Sequence, residues 1–518
     1  MHDYSHLFQE EEQKRKPQDA CDRTQLRPLW PRQIDAIVAV WQAIREGHTR
    51  IIIQAPCGFG KTLTAAHMVT RMLERGKRPV FTCPAINLVN QTVSAFQKEG
   101  ISDIGVMQAA HVMTDSQACL QIASVQTLIR RKDPECDFVI IDEAHTQYDK
   151  LHARIHSPDW EKRIVIGLSA TPWSKGLGFV YSKLIVAATT AELIEEGYLS
   201  KFLTLTGKVE PDLSEVSTVA GEYNEGELAD VMGQKKIMAD VVKTYLEKGQ
   251  GRKGFIFAVD RKHAQALQSD FKDAGVACGY IDCHTDDDER LELFKKYRND
   301  EYRLIASVGC LTTGIDEDVR VIIMARPTKS EILWVQMIGR GLRLAPPGSS
   351  PKDHCLILDH ASNTLELGEV TDVHHDELDK TPKGEKKKKE IKKKPKLRKC
   401  SNCDCVMPHG EKICINCGMV MPIMHDVFVE DGELVEYGTT GAAAANKNDS
   451  RDKKQNLYSG LLCIARERGY KEGWASMKYK ERYGVWPNAM RKEAYPTIEA
   501  QNWETYLRIK WKREQGRR

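Results

Sequence analysis

The sequence contains no apolar run that approaches the roughly 18 residues needed to cross a bilayer. Its first residues, MHDYSHLFQEEEQKRKP, lack the apolar core of a secretion signal. Most of the 15 cysteines are single residues inside apolar patterns, such as Cys83, Cys119 and Cys310, as expected of reduced thiols. These absences predict a cytoplasmic protein without a membrane partner.

The composition is that of a soluble globular chain, since 41% of the residues are hydrophobic and 29% are charged. A chain of 518 residues is too long for one core, which predicts about three domains.

Positive charge is concentrated in the C-terminal third, although the whole chain carries only +3. Residues 380–399 hold eleven Lys and one Arg against two Glu, and residues 451–518 hold 17 Lys and Arg against 8 Asp and Glu. This distribution is compatible with an electrostatic footprint for nucleic acid. A block of like charge is also typical of a solvated tether, and the lysine run can serve as both.

Apolar strand patterns alternate with helical patterns between residues 26 and 370, which predicts parallel sheets covered on both faces. Examples of the strands are RIIIQA (50–55), PVFTC (79–83), FVIID (138–142), RIVIGLSA (163–170), GFIFA (254–258), RLIASV (303–308) and VRVIIMA (319–325). This region is too long to form a single sheet. The predicted fold class is therefore α/β with two doubly wound parallel-sheet domains, divided near 200–207.

The predicted organisation has seven parts. They are a disordered segment (1–25), a first α/β domain (26–203), a second α/β domain (204–370), a Lys-rich linker (371–399), a cysteine module (400–424), a second linker (425–455) and a basic aromatic domain (456–518).

The stretch APCGFGKT (55–62) lies between a predicted strand and a predicted helix, as a phosphate-binding P-loop requires. The backbone of Pro56, Cys57, Gly58, Phe59 and Gly60 would face phosphate at the helix N-terminus, where the dipole favours anions. Lys61 would reach the β- and γ-phosphates of ATP, and the Thr62 hydroxyl would hold Mg²⁺. The alternative is a glycine-rich turn with an exposed lysine.

Two adjacent acids follow the strand in FVIIDEAH (138–145). A parallel strand delivers Asp142 and Glu143 to the edge of the sheet where α/β ligands bind. Asp142 suits the water shell of Mg²⁺, and Glu143 suits polarising the attacking water. A helix N-cap pair is the alternative, which the P-loop about 80 residues upstream makes less attractive.

Three further motifs complete the pattern. They are SAT (169–171), LTTGID (311–316) and QMIGRGLR (336–343). Arg340 and Arg343 lie three residues apart on a predicted helix, so they would share a face and could stabilise the charge that develops in phosphoryl transfer. An ordinary solvated helix face is the alternative.

The ordered motifs resemble those of superfamily 2 helicases across about residues 26–365. The resemblance implies two RecA-like domains with ATP in the cleft between them. It assigns catalytic roles to Lys61, Glu143, Arg340 and Arg343. It further assigns coupling roles to His145, Ser169, Thr171 and Gln336, and a nucleotide-side interdomain contact to Asp316.

RQIDAI (32–37) resembles the adenine-reading motif of the family, in which Gln33 would hydrogen-bond the base edge. This chain has Trp30-Pro31-Arg32-Gln33 where many relatives have Arg-Pro-Tyr-Gln. The segments RPTKSEILWVQMIGRGLR (326–343), CLILDHA (355–361) and YKEGWASMKYKERYGVWP (470–487) resemble RadD-like DNA-repair helicases of bacteria and their phage-borne relatives. That resemblance implies bacterial cytoplasm, or host cytoplasm for a phage protein.

Five cysteines lie in CSNCDCVMPHGEKICINC (400–417). Cys400, Cys403, Cys414 and Cys417 have the C-x2-C-x10-C-x2-C spacing of a structural Zn²⁺ site, where thiolates supply the metal shell. A redox pair, disulfides or an iron–sulfur cluster are the alternatives. Cys405 is a spare thiol that could replace Cys403, and His409 is expected in solvent.

Ten Tyr and Trp residues alternate with Lys and Arg in the last 68 residues. Aromatic rings can stack on bases while cations neutralise phosphates, and small domains also need aromatic cores. Both uses are predicted, with DNA contacts from Trp474, Lys478, Lys480, Arg482 and Trp486.

The resemblance implies an ATP-dependent DNA helicase or translocase acting on recombination, repair or replication intermediates. Single-stranded, forked or branched DNA would be its partner, together with a recombinase or a single-strand DNA-binding protein. The alternatives are an RNA-dependent ATPase of the same superfamily and a nucleic-acid-binding scaffold with a degenerate motor.

Overall fold

The structure is a computed structural model. It describes residues 16–108, 111–207, 211–219, 221–312, 315–382, 397–407, 411–420, 451–483, 485–488, 490–497 and 500. The chain divides into two compact units, Met1–Ile423 and Met424–Arg518. Within the described ranges, no helix is long and apolar enough to cross a membrane.

The first domain is a seven-stranded parallel sheet with helices on both faces. Its strands are β1 (Arg50–Gln54), β2 (Pro79–Cys83), β3 (Ile104–Met107), β4 (Leu120–Ser124), β5 (Phe138–Ile141), β6 (Ile164–Ser169) and β7 (Lys183–Val186). Its helices are α1 (Pro31–Arg45), α2 (Lys61–Glu74), α3 (Val89–Lys98), α4 (Val125–Arg130), α5 (Asp149–Ile155), α6 (Leu177–Val180) and α7 (Thr190–Glu195). Strands β2, β4 and β5 are buried at every residue, as expected for a sheet covered on both faces.

The strand order is β3-β4-β2-β5-β6-β1-β7. The carboxyl ends of β5, β6 and β1 therefore lie side by side, with β6 in register between the other two. These ends carry the DEAH acids, the SAT residues and the P-loop, so the topology brings three distant motifs to one edge.

The second domain is a six-stranded parallel sheet of order β12-β13-β11-β14-β15-β8. Its strands are β8 (Lys201–Thr206), β11 (Gly254–Phe257), β12 (Cys278–Ile281), β13 (Leu304–Ser307), β14 (Val321–Met324) and β15 (His354–Asp359), and a small hairpin pairs β9 (Thr218–Val219) with β10 (Glu222–Tyr223). Its helices are α8 (Glu225–Met232), α9 (Lys235–Thr244), α10 (Arg261–Asp273), α11 (Asp287–Arg298), α12 (Glu331–Gly339) and α13 (Asn363–Leu367). The predicted pair of RecA-like α/β domains is confirmed.

Two boundaries differ from the predicted ones. Strand β8 begins at Lys201 and belongs to the second sheet, so the division falls before 201 rather than after 203. Residues 17–25, predicted to be disordered, form the 3-10 turns Pro17–Ala20 and Arg23–Gln25. Asp22 N–H donates to Gly100 O at 2.8 Å, which ties this segment to the first domain. Residues 1–15 lie outside the described residues.

The cysteine module packs directly on the second domain, although the sequence predicted a module separated by a linker. Thr206 N–H at the end of the edge strand β8 donates to Asp404 O at 3.0 Å, and Leu205 bridges Cys405 in antiparallel fashion. Cys400, Cys405 and Met407 are buried in the same apolar cluster as Leu205. The module contains the two-residue strands β16 (Arg398–Lys399) and β17 (Val406–Met407). It covers an edge strand that would otherwise expose unpaired backbone groups.

Within its described residues, the second unit includes the helices α14 (Arg451–Glu467) and α15 (Glu472–Tyr483). They pack around Leu461 and three tyrosines. The buried rings of Tyr458 and Tyr479 make an edge-to-face contact, and those of Tyr479 and Tyr483 make a tilted one. These tyrosines therefore form a small core, which is one of the two uses predicted for the aromatic residues of the tail.

Candidate active site

The P-loop connects β1 to α2 with two glycines in the left-handed region, Gly58 at φ 87° and Gly60 at φ 85°. A Cβ atom at Gly60 would lie 2.6 Å from Gln33 Nε2, so only glycine fits beside the buried glutamine. Lys61 opens helix α2, and its Nζ lies 3.4 Å from Ala55 O. Thr62 is exposed in the first turn of that helix, where the dipole favours anions.

Gln33 uses both ends of its amide inside the protein. Its Oε1 accepts from Trp30 N–H at 2.9 Å, and its Nε2 donates to Phe59 O at 2.7 Å. Gln33 therefore holds the P-loop from the first turn of α1. Its contact with adenine stays a prediction, and the positioning role is one that the motif alone did not indicate.

The acid pair lies at the carboxyl end of β5. Glu143 adopts a positive φ of 47°, and its N–H donates to Asp142 Oδ1 at 3.0 Å. Burial, followed by the charge of Glu143, raises the pKa of Asp142 to about 7, while the Lys61 ammonium acts in the opposite direction. Two partly buried carboxylates at one edge of the sheet leave a deficit of positive charge, and Thr62 in the first turn of α2 offers an exposed hydroxyl oxygen. This donor set of oxygens fits Mg²⁺, with Asp142 and Thr62 as the residues that would hold it.

His145 connects the two domains. Its Nδ1 lies 2.9 Å from Ser169 Oγ, and its Nε2 lies 3.0 Å from Gln336 Nε2 on α12. An amide NH₂ can only donate, so Nε2 accepts and the ring proton resides on Nδ1. Ser169 Oγ also accepts from Thr171 N–H at 3.0 Å. All four predicted coupling residues therefore belong to one hydrogen-bonded chain.

The two arginines face their own domain. Arg340 is 5% exposed and donates to Ile315 O at 3.1 Å and to Thr312 O. Arg343 donates to Asp316 Oδ1 at 2.7 Å and also to Ile315 O. Helix α12 ends at Gly339, so the arginines follow the helix instead of sharing its face as predicted. They converge nevertheless, because both reach the carbonyl of Ile315. Thr313 and Gly314 of the LTTGID motif lie outside the described residues.

Backbone contacts close the cleft beside the P-loop. A Cβ atom at Gly339 would lie 2.6 Å from Cys57 Cβ, so the end of α12 touches the P-loop itself. Ser200 N–H donates to Leu342 O at 2.7 Å on the same side. The motif predicted only a backbone role for Cys57. Its contact with Gly339 could not be predicted, because nothing in the local sequence shows which distant segment will approach.

The four paired cysteines converge as their spacing predicted. Their Sγ atoms all lie within 4.8 Å of one another, with Cys400 and Cys417 3.7 Å apart and Cys403 and Cys414 3.6 Å apart. A tetrahedral shell with Zn–S bonds near 2.3 Å requires edges of about 3.8 Å, so the donor set fits Zn²⁺. Cys405 lies outside this group of four and is buried against the second domain. His409 lies outside the described residues.

The predicted DNA-contacting residues of the tail differ in their surroundings. Trp474 is partly buried against the tail core, and Lys478 pairs with Glu481 at 2.7 Å. The Lys480 ammonium lies 4.4 Å from the ring centre of Trp486, which is 48% exposed. The Arg482 guanidinium lies 6.0 Å from the Tyr483 ring centre. Trp503, Tyr506 and Trp511 lie outside the described residues.

Two family models match the chain in the order of its two domains. "Type III restriction enzyme, res subunit" matches residues 27–174, and "Helicase conserved C-terminal domain" matches residues 236–345. Each model covers one of the two RecA-like domains, so both halves of the motor core are present.

Curated relatives cover the same region. The chain is 32% identical to "Putative ATP-dependent helicase IRC3" of Saccharomyces cerevisiae over 63% of this chain and 50% of that protein. It is 27% identical to a "51.5 kDa protein" of a Lactococcus phage over 73% of this chain and 79% of the relative. It is 25% identical to the "Type I restriction enzyme EcoKI endonuclease subunit" of Escherichia coli over 61% and 33% of the two chains. The chain thus spans half of the first relative and a third of the restriction subunit.

The solved "fragment structure of a putative HsdR subunit of a type I restriction enzyme" from Vibrio vulnificus shares the fold. The match has a TM-score of 0.51 at 18% identity and covers 70% of this chain and 69% of the other.

Gly339→Ala should reduce ATP turnover because its methyl group would collide with Cys57 and hold α12 away from the P-loop. We expect a loss of roughly tenfold, as for overpacking at a close contact, measured as steady-state ATPase. Cys57→Gly should restore turnover in the double variant, since it removes the colliding Cβ. Gly226→Ala in α8 is the matched control, because the nearest atom to its added methyl group, Asn224 Oδ1, would lie 3.5 Å away. A double variant as slow as Gly339→Ala would contradict the contact.

Acid should weaken the His145–Gln336 bond, because Nε2 must be unprotonated to accept. Burial, with a further contribution from Lys61, lowers the pKa of His145, while Glu143 acts in the opposite direction. The folded state therefore keeps the neutral ring and loses stability as the pH falls below the ordinary imidazole range. Gln336→Glu would stabilise the imidazolium, so the acid limb of the ATPase pH profile should move to higher pH. An unmoved limb would exclude His145 as the titrating group.

If the four cysteines bind Zn²⁺, its removal should destabilise the second RecA-like domain, because Cys400, Cys403 and Cys414 share an apolar cluster with that domain. Cys403→Ser should lose one equivalent of Zn²⁺, lower the melting temperature by more than about 5 °C and increase amide exchange in β8. Cys405→Ser should retain the metal, and Cys283→Ser, at an exposed thiol, should change neither quantity. Full Zn²⁺ content in Cys403→Ser would contradict the assignment of the ligands.

Proposed function

We propose that this chain, a superfamily 2 helicase by its two motor domains, uses ATP hydrolysis to move along DNA at repair, recombination or replication intermediates. The observation that carries the proposal is the interdomain hydrogen bond between His145 and Gln336. It joins the acid pair of the first domain to the helix that precedes Arg340 in the second. A site divided in this way changes whenever the domains move, as a motor requires.

The residues of the chain have distinct tasks in this proposal. P-loop N–H groups and Lys61 bind the phosphates, and Glu143 orients the attacking water and receives its proton. Arg340 and Arg343 exchange their carbonyl and Asp316 partners for the γ-phosphate as the cleft tightens. Mg²⁺, held by Asp142 and Thr62, supplies positive charge to the phosphate oxygens when it is bound.

DNA is preferred to RNA because segments 326–343, 355–361 and 470–487 resemble RadD-like repair helicases. The positive charge of residues 380–399 and that of residues 451–518 each support phosphate binding. Within the second segment, Lys480 would contribute charge and the exposed Trp486 would contribute stacking. We assign the protein to the cytoplasm. A recombinase or single-strand DNA-binding protein is the partner class that the resemblance suggests.

An RNA-dependent ATPase of the same superfamily is the second candidate, because phosphate contacts and base stacking do not by themselves distinguish RNA from DNA. A scaffold with a degenerate motor is less well supported, because Lys61, Glu143 and Arg340 are all retained and a scaffold has no use for them.

Lys61→Ala should reduce DNA-stimulated ATPase by about 10²- to 10³-fold, because it removes a positive charge that stabilises the phosphoryl group in the transition state. Glu143→Gln should bind ATP without turning it over. Lys98→Ala, at an exposed lysine on α3, is the control and should behave as the wild type.

The same assay with single-stranded DNA, duplex, fork, D-loop and RNA identifies the substrate class. Strand displacement measured alongside separates a helicase from a translocase. Wild-type turnover in Lys61→Ala would exclude the hypothesis of an ATP-driven motor. Stimulation of the ATPase by RNA alone would favour the second candidate.

A further inference from the structure

Residues 368–382, called the strap below, leave the second domain and cross to the first. Gly368 O accepts from Trp334 Nε1 at 3.2 Å, and Val370 and Val373 are buried. At the other end, Leu378 packs against the core of the first domain, and Gly178 N–H on α6 donates to Asp379 O at 2.9 Å. The strap is therefore anchored on both domains by buried or hydrogen-bonded groups. The sequence predicted residues 371–382 of this segment as the start of a lysine-rich linker.

His375 lies in the middle of the strap, between the domains. Its Nε2 is 2.9 Å from Glu331 Oε2, and Glu331 is the first residue of α12. Its ring centre is 4.9 Å from that of Trp173, at an angle of 47° between the planes. Trp173 belongs to the first domain, two residues after Thr171 of the SAT motif. One imidazole thus contacts both domains.

Trp173 extends this bridge to the P-loop strand. Its Nε1 lies 3.3 Å from Oε1 of Gln54, the last residue of β1 and the neighbour of Ala55. Gln54 is 4% exposed, so the acceptor is fixed in the core. A chain of contacts therefore runs from the base of the P-loop through Trp173 and His375 to the N-terminus of α12.

Helix α12 contacts groups outside its own domain at three points. Glu331 meets the strap, Gln336 meets His145, and Gly339 packs against Cys57 of the P-loop. At 1.5 Å per residue, Glu331 lies about 7.5 Å along the axis from Gln336. The strap therefore fixes the N-terminal end of a helix whose C-terminal half is already held by the first domain. Arg340 follows directly after the end of this helix, so its position depends on the direction of the helix.

We propose that His375 is a positioning residue for ATP hydrolysis, which acts through the strap by fixing α12, and with it Arg340, against the P-loop. The inference rests on the proposed ATPase function and adds to it a residue outside the helicase motifs. ATP binding depends chiefly on the P-loop of the first domain, and hydrolysis also requires the arginines of the second. Loss of His375 should therefore affect turnover more than affinity.

The test compares His375→Ala with His375→Gln, whose amide can still donate to Glu331, and with His374→Ala at the exposed neighbouring histidine. We expect His375→Ala to lower kcat about tenfold with KM for ATP within twofold, at an unchanged melting temperature. His375→Gln should recover most of the loss, and His374→Ala should match the wild type. Amide exchange in residues 331–340 should rise in His375→Ala alone.

Two results would overturn the proposal. The first is a wild-type kcat in His375→Ala, and the second is unchanged amide exchange in residues 331–340. A fall in kcat accompanied by a lower melting temperature, or shared by His374→Ala, would mean a general structural role and would also overturn it. Failure of the proposed function gives a different result, since Lys61→Ala would then hydrolyse ATP like the wild type. The exchange measurement tests the strap independently of that outcome.

Discussion

Two adjacent, partly buried carboxylates lie at the carboxyl end of β5, and the surroundings of the active site partly offset their negative charge. A strand covered on both faces delivers Asp142 and Glu143 to an edge where little water solvates them, which raises the pKa of Asp142 to about 7. Lys61 from the neighbouring strand–helix junction partly offsets the negative charge. A divalent cation bound at this edge would supply the positive charge that is still missing, and it could in turn bind a phosphate group.

The cleft in this structure is held by neutral groups. His145 accepts from Gln336, Leu342 O accepts from Ser200 N–H, and Gly339 packs on Cys57. Both charged arginines bond to carbonyl groups of their own domain and, for Arg343, to Asp316. Neutral hydrogen bonds contribute about 1 kcal/mol each, so domain contacts made from them can break and re-form in a cycle.

The cysteine module belongs to the motor as a structural element. Its first knuckle covers the edge strand β8 through Asp404 and Cys405, and its thiols share a core with Leu205. Cys405 is buried at this junction and lies outside the group of four thiols that could hold a metal, so packing accounts for the fifth cysteine of the cluster. Segments that follow the second sheet in the sequence therefore pack on both RecA-like domains. The strap contacts the first domain, and the cysteine module contacts the second.

Local sequence patterns determined the elements whose cause is local. Continuous apolar runs predicted β1, β2, β5, β6, β11, β13 and β14 to within two residues, because a strand buried on both faces must be apolar throughout. The glycines of the P-loop, the acid pair and the paired cysteines were likewise readable, since each chemistry requires certain residue types at a fixed spacing. The ordered motifs also indicated the division of the site between two domains.

Tertiary structure alone decided which distant groups meet. Nothing near Cys57 predicts that Gly339 will touch it, and no motif includes His375 or links it to Trp173 and Glu331. The end of α12 before Arg340 and the return of residues 397–407 to β8 are likewise set by packing. Such contacts depend on the register of whole sheets and on the path of the chain between them. Local propensity and spacing encode neither, because burial and hydrogen-bond partners are shared among segments hundreds of residues apart.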